Sequence, residues 1–285
     1  MRIVPRIAIT SVVALLLVVA YVRAQQFGNQ PAKLNIVKVK DDLFVIHNDF
    51  VPGNTTALVT DEGVVLVDDK FEQDAPNILS LLKSVTNQPV KYVVNTHHHG
   101  DHSGGNARMQ MAGAQLIASE QARRYMVDGK QPGQPGVTFV DRALIHLGGK
   151  AVELYYFGRA HTGGDVFAYF PADRVLAAGD AFTFGAATPQ LVDYQNGGSA
   201  KDWTATLDRA LQLDFDTVVP GHGDVTTKTE LRKFRDSTLA MRTRVHEMLM
   251  QKKSKDEISA VLKSDFQGAQ LVFPGLLDGL LTELQ

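Results

Sequence analysis

The chain has 285 residues, with 29 Lys and Arg against 31 Asp and Glu and a formal charge of −2 at neutral pH. With no basic run past its N-terminal segment, that balance argues against nucleic acid as a partner. Cysteine is absent, so a hydrophobic core has to do what disulfides would do elsewhere, and any bound metal has to be held by nitrogen and oxygen.

Residues 1–24 read as a signal peptide. Arg2 and Arg6 give a basic start, Ile7 to Val22 is an almost unbroken apolar run, and Val22-Arg23-Ala24 offers a cleavage site before Gln25. An uncleaved membrane anchor is the other reading, because the run falls just short of a comfortable span. Both place the folded part outside the cytoplasmic membrane, in the periplasm or the extracellular space. The main domain is expected over 25–250, with a helical extension over 251–285 packed on its core.

Asn35 to Lys40 and Leu43 to His47 read as strands, and Thr56 to Thr60 with Val64 to Val67 as a hairpin turning at Asp61-Glu62-Gly63. Ala75, Ile78, Leu81 and Leu82 recur at helical spacing. Lys91 to Asn95 is a short buried strand, Gln115 to Ala118 another, and Ser119 caps a helix reaching Met126. After a Gly/Pro-rich loop, Phe139 to Val140, Ala143 to Leu147, Ala151 to Phe157, Asp165 to Phe170 and Arg174 to Ala178 read as successive strands. Asp202 to Leu213 is a helix, Thr217 to Val219 a strand, and Thr227 opens a long helix with Glu230 at capping-box spacing. Lys255 to Lys263 and Leu271 to Leu284 carry two further helical patterns. Strands, helix and strand thus occur twice, which predicts a layered α/β fold.

Four of the nine histidines fall within six residues, in Thr96-His97-His98-His99-Gly100-Asp101-His102. Burying unpaired imidazoles is costly, so this density beside a carboxylate calls for a bound partner. His97 and His99 bracket one residue and can aim the same way. Asp101 and His102 follow on the first turn of a short helix and point at a neighbouring position. His161, Asp180 and His222 come later, each beside or near glycine and close to a predicted strand end, where loops of a layered fold converge. At about four ligands per ion, His97, His99, His161 and Asp180 serve one metal, and Asp101, His102, Asp180 and His222 the other. Asp180 is shared, and a bridging hydroxide completes both shells. His98 should face away from the ions, toward solvent or a supporting hydrogen bond; His47, His146 and His246 match no motif.

Thr96 to Gly104 resembles the histidine signature of the metallo-beta-lactamase superfamily, and His161, Asp180 and His222 fall in its expected order. Gly63 to Asp68 is similar to the strand and buried aspartate that precede that signature. The resemblance runs from Ile36 to the helix after Asp224. It implies an αββα four-layer sandwich with two metals at one sheet edge and Asp68 holding the ligand loop. It also implies a zinc-dependent hydrolase that cleaves a lactone, ester or related acyl bond through the bridging hydroxide, with Asp101 orienting the nucleophile and relaying its proton. Two zinc ions are expected, because an oxygen-reducing iron branch carries glutamate where His99 stands. One Fe2+ ion, as in a persulfide-oxidising branch, is the alternative. Asp180 stands where some lactamases use cysteine, and the lysine that follows in those enzymes is missing. This moves the expected substrate toward a small acyl compound; a beta-lactamase, a thioesterase and a non-enzymatic metal-binding protein are the other readings. Phe50 and Val51 are expected on one rim of the cleft, and Phe182, Phe184, Leu191 and Tyr194 on the other. No obligate protein partner is indicated.

Overall fold

The computed structural model describes residues 30–49, 51–189, 191–267 and 275–285. The expected signal segment, Phe50 and positions 271–274 of the last expected helix lie outside them. No described helix is long and apolar enough to cross a membrane.

Short apolar strands with turn residues between them build the first sheet. β1 (Asn35–Lys38), β2 (Leu43–His47), β3 (Thr55–Val59) and β4 (Val64–Val67) form an antiparallel meander. β5 (Val90–Val94), β6 (Gln115–Ser119) and β7 (Val137–Phe139) extend it in parallel. The direction changes where the connections lengthen, since parallel neighbours need a crossover that a hairpin cannot supply. α1 (Ala75–Leu82) makes the first crossover, α2 (Gly100–Ser103) and α3 (Asn106–Met111) the second, and α4 (Glu120–Asp128) the third. The Ser119 hydroxyl caps α4 by accepting from the Ala122 N–H at 3.1 Å, as its sequence suggests.

The second sheet runs β8 (Arg142–Leu147), β9 (Lys150–Tyr156), β10 (Val166–Phe170) and β11 (Val175–Ala177), all antiparallel. After α5 (Ala200–Ala210), β12 (Thr217–Val219) returns parallel to β11, and β13 (Thr226–Thr227) pairs antiparallel at the edge. Among the described residues, α6 (Lys228–Met250), α7 (Lys255–Asp265) and α8 (Leu276–Leu284) follow.

The period of two along each strand separates the layers. Val65 and Val67 pack between the sheets against Val152, Leu154, Val166 and Phe170, whereas Val64 and Leu66 face Ala75 and Ile78 of α1. On the far side, Phe167, Tyr169 and Leu176 lie under Trp203, Leu207, Leu231 and Met241, and Ile258, Leu262, Leu277 and Leu280 join the same cluster. The result is helix, sheet, sheet, helix: the αββα sandwich. Each large apolar side chain fully buried contributes about 1.5–3 kcal/mol, so three such clusters hold the fold without a disulfide.

One expected local device is absent. Thr227 is the N-cap of α6, but its side chain accepts no capping bond, and the Glu230 carboxylate instead takes a bond from Lys233 Nζ at 2.8 Å. The capping box forms one helix later, where Ser254 and Glu257 exchange both bonds at the start of α7.

Candidate metal centre

The donors gather where parallel strands of both sheets end. Asp68 follows β4, the histidine run follows β5, Asp180 sits in the 3-10 turn Gly179–Ala181 after β11, and His222 lies in the loop after β12. His161 comes from the loop before β10, whose first amide, Val166, donates to the Thr96 carbonyl at 2.8 Å and ties the two loops together. His99 caps α2 with extended backbone, and the helix then turns Asp101 and His102 to the other side of the cluster.

Two sets result. The donor atoms of His97, His99 and His161 lie within 4.8 Å of one another, and so do those of Asp101, His102 and His222. Asp180 stands between them: Oδ1 is 3.1 Å from His102 Nε2 and 3.3 Å from His222 Nε2, and Oδ2 is 3.6 Å from His161 Nε2. All seven residues expected as ligands are therefore assembled in one cluster, with His97, His102, His161 and His222 buried and His99, Asp101 and Asp180 partly exposed. His98 sits beside it, with Nε2 3.6 Å from Asp193 Oδ2 and its ring 5.1 Å from that of Tyr125. It is buried, which leaves little of the solvent contact expected for it.

The rings are oriented by what their other nitrogens touch. His102 Nδ1 meets Asp68 Oδ2 at 2.8 Å, His161 Nδ1 meets the Leu191 carbonyl at 2.6 Å, and His99 Nε2 meets Asp193 Oδ2 at 3.0 Å. Thr96 Oγ1 donates to Asp68 Oδ2 at 2.7 Å and so accepts from His97 Nδ1 at 3.0 Å. A nitrogen facing a carbonyl or carboxylate must carry the proton, so in each neutral ring the opposite nitrogen presents a lone pair to the centre. His97 Nε2 is buried and has no hydrogen-bond partner among the described residues. A solvent-free nitrogen lone pair costs stability unless something electropositive faces it, and this arrangement fits a divalent cation. The donor set, imidazole with carboxylate and no thiolate, suits zinc and iron alike.

Charge divides the cluster. Burial pushes the His97 pKa well below the imidazole range and holds His161 at about 4. Burial also opposes charge on His102 and His222, but the Asp180 and Asp101 carboxylates overcome it. His102 is thus raised well above its ordinary value, and His222 to about 9. Against the same burial, His102 and His222 keep Asp101 ionised, with a pKa of about 2. A proton and a metal ion compete for the same nitrogen lone pair, so carboxylates that draw in the one also favour the other.

The surrounding backbone is built to this geometry. Asp68 adopts φ 64°, in the left-handed region that a non-glycine residue enters only when its surroundings hold it there. From that position its carboxylate accepts from the Thr96 N–H at 2.7 Å as well as serving His102. A Cβ on Gly53 would collide with the His102 ring, and one on Gly221 with the Asp180 carboxylate. Asn54 joins the two sheets' loops: its amide N–H donates to the Gly221 carbonyl at 2.7 Å. Its Nδ2 donates to the carbonyls of Pro220 and Gly223 at 2.9 and 2.8 Å. Buried Lys70 does similar work beneath, donating to Gly53 O at 2.5 Å and Asn48 Oδ1 at 3.3 Å. Burial lowers the Lys70 pKa to about 7.

A cavity opens beside the donors, lined by Val51, Thr183, Leu191, Trp203 and Phe234 together with His99, Asp101, His161, Asp180 and His222. Val51 and Leu191 were expected there. Phe182, Phe184 and Tyr194 are placed elsewhere. Phe182 is buried with its ring 5.3 Å from Phe234, and it and Phe184 line a separate groove with Glu230 and Lys233. The Tyr194 ring lies against Gly279 of α8. Asp193, Trp203 and Phe234 carry no motif in the sequence, and Trp203 and Phe234 look there like ordinary helix core.

An αββα sandwich with histidine and carboxylate donors at one edge of its paired sheets defines a metallohydrolase-type fold. The metallo-beta-lactamase superfamily model matches residues 48–222, and this chain belongs to that superfamily. The metallo-beta-lactamase type 2 of Elizabethkingia meningoseptica is 26% identical over 229 residues, 77% of this chain and 90% of that relative. The 2,4-dinitroanisole O-demethylase subunit alpha of Nocardioides sp. (strain JS1661) is 28% identical over 173 residues, 59% of this chain and 52% of that one. Among solved structures, a metallo-beta-lactamase from Pontibacter korlensis aligns with a TM-score of 0.66 at 25% identity, covering 73% of this chain and 99% of that chain. DIM-1 metallo-beta-lactamase aligns at 0.65 and 18% identity, a likeness of fold.

Proposed function

We propose that the protein is an exported, metal-dependent hydrolase that binds two zinc ions and cleaves a lactone, ester or related small acyl substrate. The observation that carries the reading is Asp180, whose two oxygens face two separate donor sets beside an open cavity. A bound divalent metal lowers the pKa of water and polarises a carbonyl. His97, His99 and His161 would hold one metal and His102, His222 and Asp101 the other, with Asp180 within reach of both sets. The ionised Asp101 carboxylate, which faces the cavity, accepts a hydrogen bond from the attacking water and orients it. Asp68, Thr96, Asp193 and the Leu191 carbonyl fix the ring tautomers that make this possible.

The test is metal analysis and a hydrolysis panel on one sample of protein lacking residues 1–24. Two zinc ions per chain with chelator-sensitive cleavage of esters or lactones supports the proposal. One iron ion, or a metal-loaded protein inert to every acyl compound, refutes it. Beta-lactam hydrolysis is the second reading, favoured by the type 2 relative that aligns over most of its length; a cephalosporin belongs in the same panel.

A further inference from the structure

The last helix, α8, makes two kinds of contact. Leu277 and Leu280 dock it, buried in one cluster with Trp203, Leu231 and Met241. Its half-buried acid does something more local. Glu283 accepts from the Ser199 hydroxyl through Oε1, while Oε2 takes the Lys201 N–H at 3.2 Å and faces the Tyr194 hydroxyl at 3.5 Å. These three partners lie between positions 194 and 201, where the chain turns into α5. The first amides of a helix lack partners of their own, and their partial positive charge favours a carboxylate beside them. Ser199 gives its only hydroxyl proton to Glu283, so its lone pair can cap α5, accepting from the Asp202 N–H at 2.9 Å. Glycine weakens a helix interior, and at Gly279 it makes room for a ring: a Cβ there would collide with Tyr194.

The same loop orients the first donor set. The Leu191 carbonyl and the Asp193 carboxylate hold the protonated nitrogens of His161 and His99, at 2.6 and 3.0 Å. The Asp193 N–H donates to the His161 carbonyl at 2.9 Å, and the Ser199 N–H to the Ala160 carbonyl at 2.9 Å. The loop closes on itself where the Gly198 N–H donates to the Asp193 carbonyl at 2.8 Å. Residues 191–199 thus have α8 on one side and two of the three histidines of that set on the other. In the second set His102 leans instead on Asp68, after β4 of the other sheet.

We propose that Glu283 is a positioning residue for the metal centre: from α8 it anchors the 191–199 loop, and through Asp193 and Leu191 it sets the aim of His99 and His161. The proposal rests on the metal-binding reading for what these histidines hold, but not for the anchoring itself. Groups that orient metal-bound histidines are worth about 10- to 100-fold in affinity. Glu283 stands one step further out and serves one set, so its loss should act at the low end of that range and on one ion.

The experiment compares Glu283→Ala with Lys255→Ala, which removes another tie of α8, the Lys255 Nζ–Asp278 Oδ1 pair at 2.5 Å. Hydrogen exchange of the amides of residues 191–199, followed on chelator-treated protein, tests the anchor without metal. Zinc titration against a chromogenic chelator tests its consequence. Glu283→Ala is expected to speed exchange in that loop by about fivefold, the scale of one lost hydrogen bond. It should also weaken one zinc constant by about tenfold and leave the second within about twofold, while Lys255→Ala moves neither. Unchanged exchange, two zinc constants weakened alike, or the same changes in Lys255→Ala overturns the proposal. If the parent binds a single zinc ion that Glu283→Ala weakens while loosening the loop, the anchor stands and the two-zinc reading falls. Two zinc constants untouched by Glu283→Ala leave the metal reading in place and refute the positioning role.

Discussion

The two donor sets differ in what their histidines lean on. In the set of His97, His99 and His161, two of the supports are neutral, the Thr96 hydroxyl and the Leu191 carbonyl, and burial keeps His97 and His161 from taking a proton. In the set of Asp101, His102 and His222, carboxylates crowd the rings and raise the pKa values of both histidines. The first set is a nest of lone pairs; the second is a nest of negative charge. A cation relieves both, for opposite reasons. One gains an electropositive partner for nitrogens that lack one, and the other gains a counterion for Asp180, Asp101 and Asp68.

If that contrast is right, the shared residue should be the most sensitive. Asp180→Asn removes the charge common to both sets and is expected to lower metal content and to reduce hydrolysis by more than about 100-fold, beyond what most supporting partners cost. Mass spectrometric metal counting of purified variants checks it. Asp101→Asn should lower turnover by about 100-fold, in the range of general acid–base groups, with its thermal unfolding close to the parent's. Turnover within a few-fold of the parent would remove Asp101 from the reaction.

The supports themselves sharpen the comparison. Asp68→Asn breaks a buried carboxylate that accepts three bonds, from Thr96 N, Thr96 Oγ1 and His102 Nδ1. Asp193→Asn touches a less enclosed group bonded to His99 Nε2 and to Asn196. Chelator competition should place the loss of metal affinity near 100-fold for the first and near 10-fold for the second, the two ends of the usual range for such partners. Equal losses would mean the two sets are supported alike.

The smallest effect concerns Asp165, behind the His161 loop. Burial raises its pKa to about 7 although it accepts from the Thr162 N–H and hydroxyl at 2.9 and 2.8 Å. A carboxyl that is protonated when folded and ionises at about 3.9 when unfolded favours the folded state below that value and loses the advantage as pH climbs toward 7. Asp165→Asn can still accept from the Thr162 N–H through Oδ1, its Nδ2 can donate to Thr162 Oγ1 in place of the bond it loses, and it cannot ionise. Its melting temperature should therefore fall less between pH 5 and 7 than the parent's, as scanning calorimetry would show.

Much of this site is legible in the sequence because its chemistry is concentrated. Three histidines and Asp101 follow one strand, and each later donor sits near a glycine at a strand end. Alternating apolar residues likewise give away β2 to β4 and the layers they separate. What escapes is whatever depends on packing across the chain. Asp193 looks like any loop aspartate until α2 brings His99 to it. Trp203 and Phe234 carry the spacing of core residues and also make the cavity floor. Phe182 and Tyr194 lie near Asp180 or His161 in sequence or space, yet Phe182 is buried against Phe234 and Tyr194 rests on the last helix. The Thr227–Glu230 pair shows the same limit locally, since the right spacing yields no cap once Lys233 claims the glutamate.

Asn54 gives the assembly one more property. Its three bonds to Pro220, Gly221 and Gly223 latch the loop before β3 to the loop that carries His222. These contacts need no ion, so the chain's ordering entropy at this edge is spent during folding and not when metal arrives. The histidines therefore wait in register, and metal exchange can proceed as a local event on a scaffold that keeps its shape.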